Sequence, residues 1–221
     1  MDFLISFMHA VSNPEHLAFS TAFLISVMHV LSGPDHLAAV TPLVIETKRK
    51  GWIIGLFWGI GHALGMAIVG VLFYLLKDLI PVDKISEHSE QLVGISLLMI
   101  GFWFLFRILT NKHTTSTNVE AKHNSFSSLG IGLLHGLAGV SHFLLLLPTL
   151  GFSTTSGSVN YILGFTVGTL FTMTSYAFIV EKITLFTYKQ NNPSFYKGLR
   201  FFGAFFSILI GLYWLFFVSH V

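Results

Sequence analysis

The stretch H29-V-L-S-G33-P-D35-H36-L-A-A-V-T-P42 returns near the middle of the chain as H135-G-L-A-G139-V-S-H142-F-L-L-L-L-P148, with His, Gly, His and Pro at the same offsets. Each copy sets a glycine between two histidines in strongly apolar surroundings. An imidazole in such a setting is costly without a partner, and a metal ion is a common one. A doubled block of this kind predicts a duplicated, membrane-embedded fold in which two interrupted helices meet.

The rest of the chain agrees with a membrane setting. Only 10% of its 221 residues are charged, against roughly 25% in soluble domains. No Asp, Glu, Lys or Arg occurs in 124–180, 52–76 or 201–221, and about 20 apolar residues suffice to span a bilayer. The net charge of +2 comes with no basic stripe, which excludes a nucleic-acid partner. The chain has no cysteine, so disulfides, thiolate metal sites and thiol redox relays are excluded. The N-terminal M1-D-F-L-I-S-F-M8 has neither a basic n-region nor an A-x-A site and is not expected to be a removable signal peptide.

Hydropathy and breaker residues predict helices over 14–31 and 34–47, a basic turn at Lys48–Lys50, spans over 52–76 and 91–109, polar loops over 77–90 and 111–124, a second broken pair over 125–138 and 141–151, a span over 156–180, and a last helix from Phe201. G55-L-F-W-G59 matches G164-F-T-V-G168, and I100-G101-F-W-F-L-F resembles I210-G211-L-Y-W-L-F. The offsets are 106 (His29 to His135), 109 (Gly55 to Gly164) and 110 (Ile100 to Ile210), so one register holds over about a hundred residues. This predicts an internal duplication: a short N-terminal segment 1–13, a first transmembrane repeat 14–110, a polar loop 111–124 and a second repeat 125–221, all in one membrane domain. The GxxxG-like runs at Gly55–Gly59 and Gly164–Gly168 read as helix-packing seams.

Lysine and arginine set the expected topology. Lys48–Lys50, then Arg107, Lys112 and Lys122, then Lys182, Lys189, Lys197 and Arg200 mark cytoplasmic ends. The pieces of the second broken pair are too short to span separately, so it is read as one interrupted crossing; the first pair is read the same way, although 14–47 is rather long for a single crossing. The expected fold is therefore an all-α polytopic membrane protein of two three-crossing inverted repeats, the first helix of each interrupted, in the cell (inner) membrane with both termini extracytoplasmic. The rival is eight crossings with parallel halves. A third copy of the motif stands at the N-terminus: residues 3–18 and 23–38 are identical at eleven of sixteen positions. It offers His9, Glu15 and His16 as a peripheral metal site near the outer mouth, or is a leftover interfacial helix.

Asp35 is the sharpest single residue. An acid at membrane depth costs about 2.5–3.5 kcal/mol on insertion scales. Capping a helix N-terminus explains an Asp there, but not an Asp flanked by His29 and His36. Together these offer nitrogen and oxygen ligands suited to Ni²⁺, Co²⁺, Zn²⁺ or Fe²⁺, whereas Mg²⁺ and Ca²⁺ prefer oxygen alone. His135 and His142 are expected to add imidazoles from the second half, where Ser141 replaces the acid. His62, within G59-I-G61-H62-A-L-G65, is either a ligand or a neighbour steering one, and its counterpart is Phe171. Imidazole ligates only when neutral, so binding is expected to weaken as pH falls below about 6.5.

H29-V-L-S-G-P-D35-H36-L resembles the His…Asp-His element of the nickel/cobalt permeases, and L56-F-W-G-I-G61-H62-A-L resembles their F-x-x-G-H element. The likeness covers both halves, is strongest over 28–66, and is closest to the short, urease-accessory branch. It implies passage of Ni²⁺ or Co²⁺ through a membrane-embedded His/Asp site. The spacing departs from the family's best-known form, with an extra residue and Gly-Pro before the Asp. Related small transporters that move electrons need paired cysteines, which this chain lacks. The expected function is therefore transport of a transition-metal dication as substrate, with no bound cofactor and with the lipid bilayer as partner; downstream metalloenzyme assembly proteins are unknown. The competing readings are an intramembrane metal-dependent hydrolase, for which no H-E-x-x-H element exists, and a non-transporting metal-binding assembly factor.

Overall fold

The computed structural model describes residues 14–47, 50–76, 82–110, 118–138, 154–189 and 193–218. Every described element is helical: α1 (Pro14–Ser32), α2 (Pro34–Thr47), α3 (Gly51–Leu76), α4 (Val82–Leu109), α5 (Asn118–Ala138), α6 (Thr155–Lys189) and α7 (Pro193–Tyr213), the last running into a π-helical turn over Trp214–Val218. Four stretches are long and apolar enough to cross a bilayer: Gly51–Leu72, Gln91–Leu109, Thr155–Thr187 and Ser194–Phe217. Their outward faces carry Phe102, Phe106, Phe178, Phe186, Phe202, Phe205 and Phe216, all exposed. Water would penalise such a belt, and hydrocarbon does not. The chain is an all-α membrane protein.

The expected break is present. The Gly33 amide donates to the His29 carbonyl at 2.9 Å, closing α1, and Pro34 opens α2, where its missing N–H costs no helical bond. The two pieces meet at 71°. Pro42 lies inside α2 and cannot donate to the Ala38 carbonyl. Ser207 of α7 supplies the missing donor, its hydroxyl reaching that carbonyl at 2.6 Å. The second expected break, at Gly139, and the piece 141–151 lie outside the described residues.

Several helices overrun their sequence-based limits. α4 starts at Val82 rather than near Gln91, α5 at Asn118 rather than Ser125, and α7 at Pro193 rather than Phe201; α6 continues past Val180 to Lys189. Hydropathy marks only where a helix leaves the hydrocarbon, not where it ends. In the polar extension of α6, Thr184 and Thr187 satisfy their hydroxyls on the Val180 and Thr184 carbonyls at 2.8 and 2.7 Å. Glu181 is used rather than exposed. Its carboxylate accepts from the backbone amides of Lys50 (2.9 Å) and Trp52 (3.4 Å), capping α3.

Glycines set the packing. A Cβ on Gly61 would stand 2.1 Å from the Leu129 carbonyl, one on Gly132 2.1 Å from the Trp58 carbonyl, and one on Gly136 2.2 Å from the His62 carbonyl. α3 and α5 therefore touch backbone to backbone, running parallel, a close approach that small residues permit. Gly164 and Gly168 meet the backbone of Phe19 and Phe23 in the same way, so α1 and α6 are parallel too. Gly51, Gly55 and Gly59 face Glu181, Met173 and Leu170 in turn, making α3 and α6 antiparallel. Gly94 and Gly101 face Gly211 and Ile208, making α4 and α7 antiparallel. The first helix of each half thus packs on the second helix of the other. The pairs matched in sequence, α3 with α6 and α4 with α7, run in opposite senses, and so do α1 and α5.

One end of the bundle gathers the charges. Arg200 donates from Nε to Glu46 at 2.7 Å, and Arg107 lies 3.6 Å from the other carboxylate oxygen. With the Lys50 backbone amide donating to Glu181, this end holds the end of α2, the start of α3, the end of α4 and the start of α7.

If the α3–α5 seam depends on bare glycine, Gly132→Val should lower stability by about 1–3 kcal/mol through overpacking. Gly130→Ala, on the same helix with nothing within 4 Å of its Cβ, should be neutral or slightly stabilising. Thermal melts in detergent compare the two, and equal effects would contradict the seam.

Candidate metal centre

The break in α1–α2, the middle of α3 and the end of α5 converge on one buried group of imidazoles. His29 ends α1, while Asp35 and His36 form the first turn of α2. His36 is the hub. Its ring lies 4.9 Å from His29, 5.3 Å from His62 and 6.2 Å from His135, centre to centre. His36, His62 and His135 are fully buried, and Asp35 is 2% exposed. One ligand atom each from His29, His36 and His62 lie within 4.8 Å of one another.

His36 reaches this position because residue 33 is glycine. A Cβ there would stand 2.6 Å from His36 Nδ1 and 3.1 Å from Asp35 Oδ1. Asp35 does more than cap α2. Its Oδ2 lies 3.6 Å from Nε2 of His36 and 4.0 Å from Nε2 of His135, so it addresses both halves of the chain. That oxygen has no hydrogen-bond partner among the described residues. The separations exceed hydrogen bonds but suit two ligands of one cation. With bonds of about 2.1 Å, ligand atoms sit about 3.4 Å apart in a tetrahedron and up to about 4.2 Å apart across the metal. The 4.8 Å limit of the histidine trio exceeds that slightly, so a small rotamer shift closes the set. Three or four imidazoles and one carboxylate form the donor set of a borderline transition-metal dication.

Of the residues singled out from sequence, His29, Asp35, His36, His62 and His135 come together. The tight trio is His29, His36 and His62; Asp35 joins through its contacts to His36 and His135, and His135 through Asp35 and ring contacts. His142 and His9 lie outside the described residues. Glu15 and His16 fall in the first turn of α1, and their side chains also lie outside the described residues. Phe171, the counterpart of His62, is exposed on the outer face against Phe23, so the halves are chemically unequal at this position. Trp58 escapes the sequence reading. Its ring stacks on His62 at 4.9 Å and 11°, lies edge-on to His36 at 5.2 Å and is 5.7 Å from His135. The available signal is its spacing, four residues before His62 and hence on the same helix face.

The chain is similar to two Arabidopsis thaliana proteins. Chloroplast protein FOR GROWTH AND FERTILITY 2 is 30% identical over 221 residues, 95% of this chain and 54% of that protein. Chloroplast protein FOR GROWTH AND FERTILITY 1 is 30% identical over 227 residues, 95% of this chain and 56% of that protein. The chain thus spans about half the length of these curated relatives. It is also similar to Urease accessory protein UreH of Bacillus sp. (strain TB-90), at 31% identity over 150 residues, 62% of this chain and 65% of that protein. No family model matches, and no solved structure matches. None of the three names describes an enzyme.

Gly33→Ala should displace the His36 ring while leaving the helices intact. The expected outcome is a loss of divalent-metal affinity of at least about tenfold with an unchanged helical circular dichroism spectrum. Titration calorimetry on the purified variant checks it, and parental affinity would show that the contact at Gly33 is not needed.

Proposed function

We propose that the chain is a membrane permease for a transition-metal dication, with Ni²⁺ or Co²⁺ as the favoured substrate. The observation that carries this reading is the Asp35 carboxylate, buried in a membrane protein and facing the Nε2 atoms of His36 and His135 at ligand-to-ligand distances. His29, Asp35, His36 and His62 offer donors from the first half, and His135 and His142 from the second, the ion taking about four or five of the six at once. The similarity to a protein named as a urease accessory protein supports a metal-related role.

In this reading the halves are inverted repeats related by an axis in the membrane plane. Three observations support it: α3 opposes α6, α4 opposes α7, and each first helix lies against the second helix of the other half. α1 and α2 run in one sense, since α1 parallels α6, α2 opposes α7 from Ala38–Ser207 to Glu46–Arg200, and α6 and α7 join at the charged end. The broken pair then makes one interrupted crossing, and the substrate sits where the breaks meet. Rocking of one half against the other exposes that point to each side alternately. The cluster of Lys50, Arg107 and Arg200 supports a cytoplasmic position for that end, in the cell's inner membrane, with both termini extracytoplasmic.

Uptake into proteoliposomes across a panel of Ni²⁺, Co²⁺, Zn²⁺, Fe²⁺, Mg²⁺ and Ca²⁺ tests the proposal. Ni²⁺ and Co²⁺ should enter, and Mg²⁺ and Ca²⁺ should not. Asp35→Asn and His36→Ala should each cut uptake at least about tenfold, while His113→Ala in the polar loop should not. Metal retained without flux would instead make the chain a non-transporting metal-binding assembly factor.

A further inference from the structure

Trp58 is fully buried among the imidazoles of both halves, although an indole offers a metal no lone pair. Its Nε1–H has no acceptor among the described residues. What it contributes is its ring. One face lies against His62, nearly parallel at 11°, and other parts of the ring meet His36 and His135. Its backbone carbonyl is also the surface against which Gly132 of α5 closes, which holds this stretch of α3 close against α5.

Two physical consequences follow. An imidazole ligates along a lone pair in the plane of its ring, so a stacked neighbour that sets the plane of His62 also sets the direction of that lone pair. A buried indole beside the ligands also occupies volume that water would need. Mg²⁺ keeps several waters, and Ca²⁺ needs six to eight oxygens. Ions that favour imidazole accept a smaller, nitrogen-rich shell. The ring's negative face favours a cation nearby.

We propose that Trp58 is the positioning and specificity-determining residue of this centre: it orients His62 and walls the site against water, so that the site takes a partly dehydrated, nitrogen-preferring dication. This rests on the metal-site reading above and adds a cause for its selectivity. Trp58 is a positioning residue, acting through His62 and His36.

Co²⁺ serves as the probe, because a low-coordinate Co²⁺ site absorbs visible light far more strongly than hydrated, six-coordinate Co²⁺. The purified full chain in detergent should show the strong spectrum. Trp58→Phe, which keeps an aromatic face, should hold the parental spectrum and an affinity within about threefold. Trp58→Leu should lose about tenfold or more in affinity, within the range seen when a residue supporting a metal ligand is removed, and its absorption should fall toward the hydrated type. A folded Trp58→Leu protein with parental affinity and spectrum would overturn the proposal. So would equal impairment of Trp58→Phe and Trp58→Leu, which would make the residue a packing element only. Should Trp58→Leu fail to fold, the chain with Trp52, Trp103 and Trp214 changed to Phe keeps Trp58 as the single indole. Its fluorescence should then be quenched by Co²⁺ with the parental affinity, and no quenching at saturation would overturn the proposal. A parent that binds no Co²⁺ overturns the metal-site reading together with this one, whereas a binding parent with indifferent Trp58 variants overturns this one alone.

Discussion

The structure turns on one carboxylate held out of water. Asp35 costs about 2.5–3.5 kcal/mol to place at membrane depth on insertion scales, and it is 2% exposed. Among the described residues no lysine or arginine neutralises it. Its described neighbours are the imidazoles of His36 and His135. A neutral imidazole relieves a buried carboxylate only in part, and a dication shared with it relieves it fully. The glycine at 33, the proline at 34 and the bend of 71° all serve to set Asp35 and His36 at that point rather than along a continuous helix wall.

The second half reaches the same point through glycine. His135 can approach Asp35 only if α5 lies directly against α3, and Gly61, Gly65, Gly132 and Gly136 remove the side chains that would hold them apart. The charged end is organised differently. There Glu46 ties α2 to Arg107 of α4 and Arg200 of α7, and Glu181 of α6 caps α3. Paired charges at one end and paired glycines in the middle give the bundle a tied rim and a close-packed centre.

Much of this is legible in the sequence. The break at Gly33-Pro34 is plain because proline and glycine act locally, whatever the fold. The ligand group from His29 to His36 is legible because an acid and two imidazoles in an apolar run have few other uses. His62 and His135 gain meaning only from tertiary packing, since each alone reads equally well as an ordinary buried histidine. Trp58 is invisible for the same reason, as a tryptophan in an apolar helix is unremarked until its ring is seen against His62. The helix ends at Val82, Asn118, Lys189 and Pro193 are missed because hydropathy reports the bilayer boundary and not helical hydrogen bonding. Glu181 looks like the end of a span by charge, and only the fold shows it folded back onto the amides that start α3.

The central claim is that one dication is held by ligands from both halves of the chain. X-ray absorption at the nickel edge of the Ni²⁺-loaded protein tests it most directly. The account predicts a first shell of nitrogen and oxygen at about 2.0–2.2 Å, with the outer-shell scattering of several imidazoles. One imidazole should be lost in His36→Ala and one in His135→Ala. An all-oxygen shell without imidazole scattering, or a shell unchanged by His135→Ala, would contradict it.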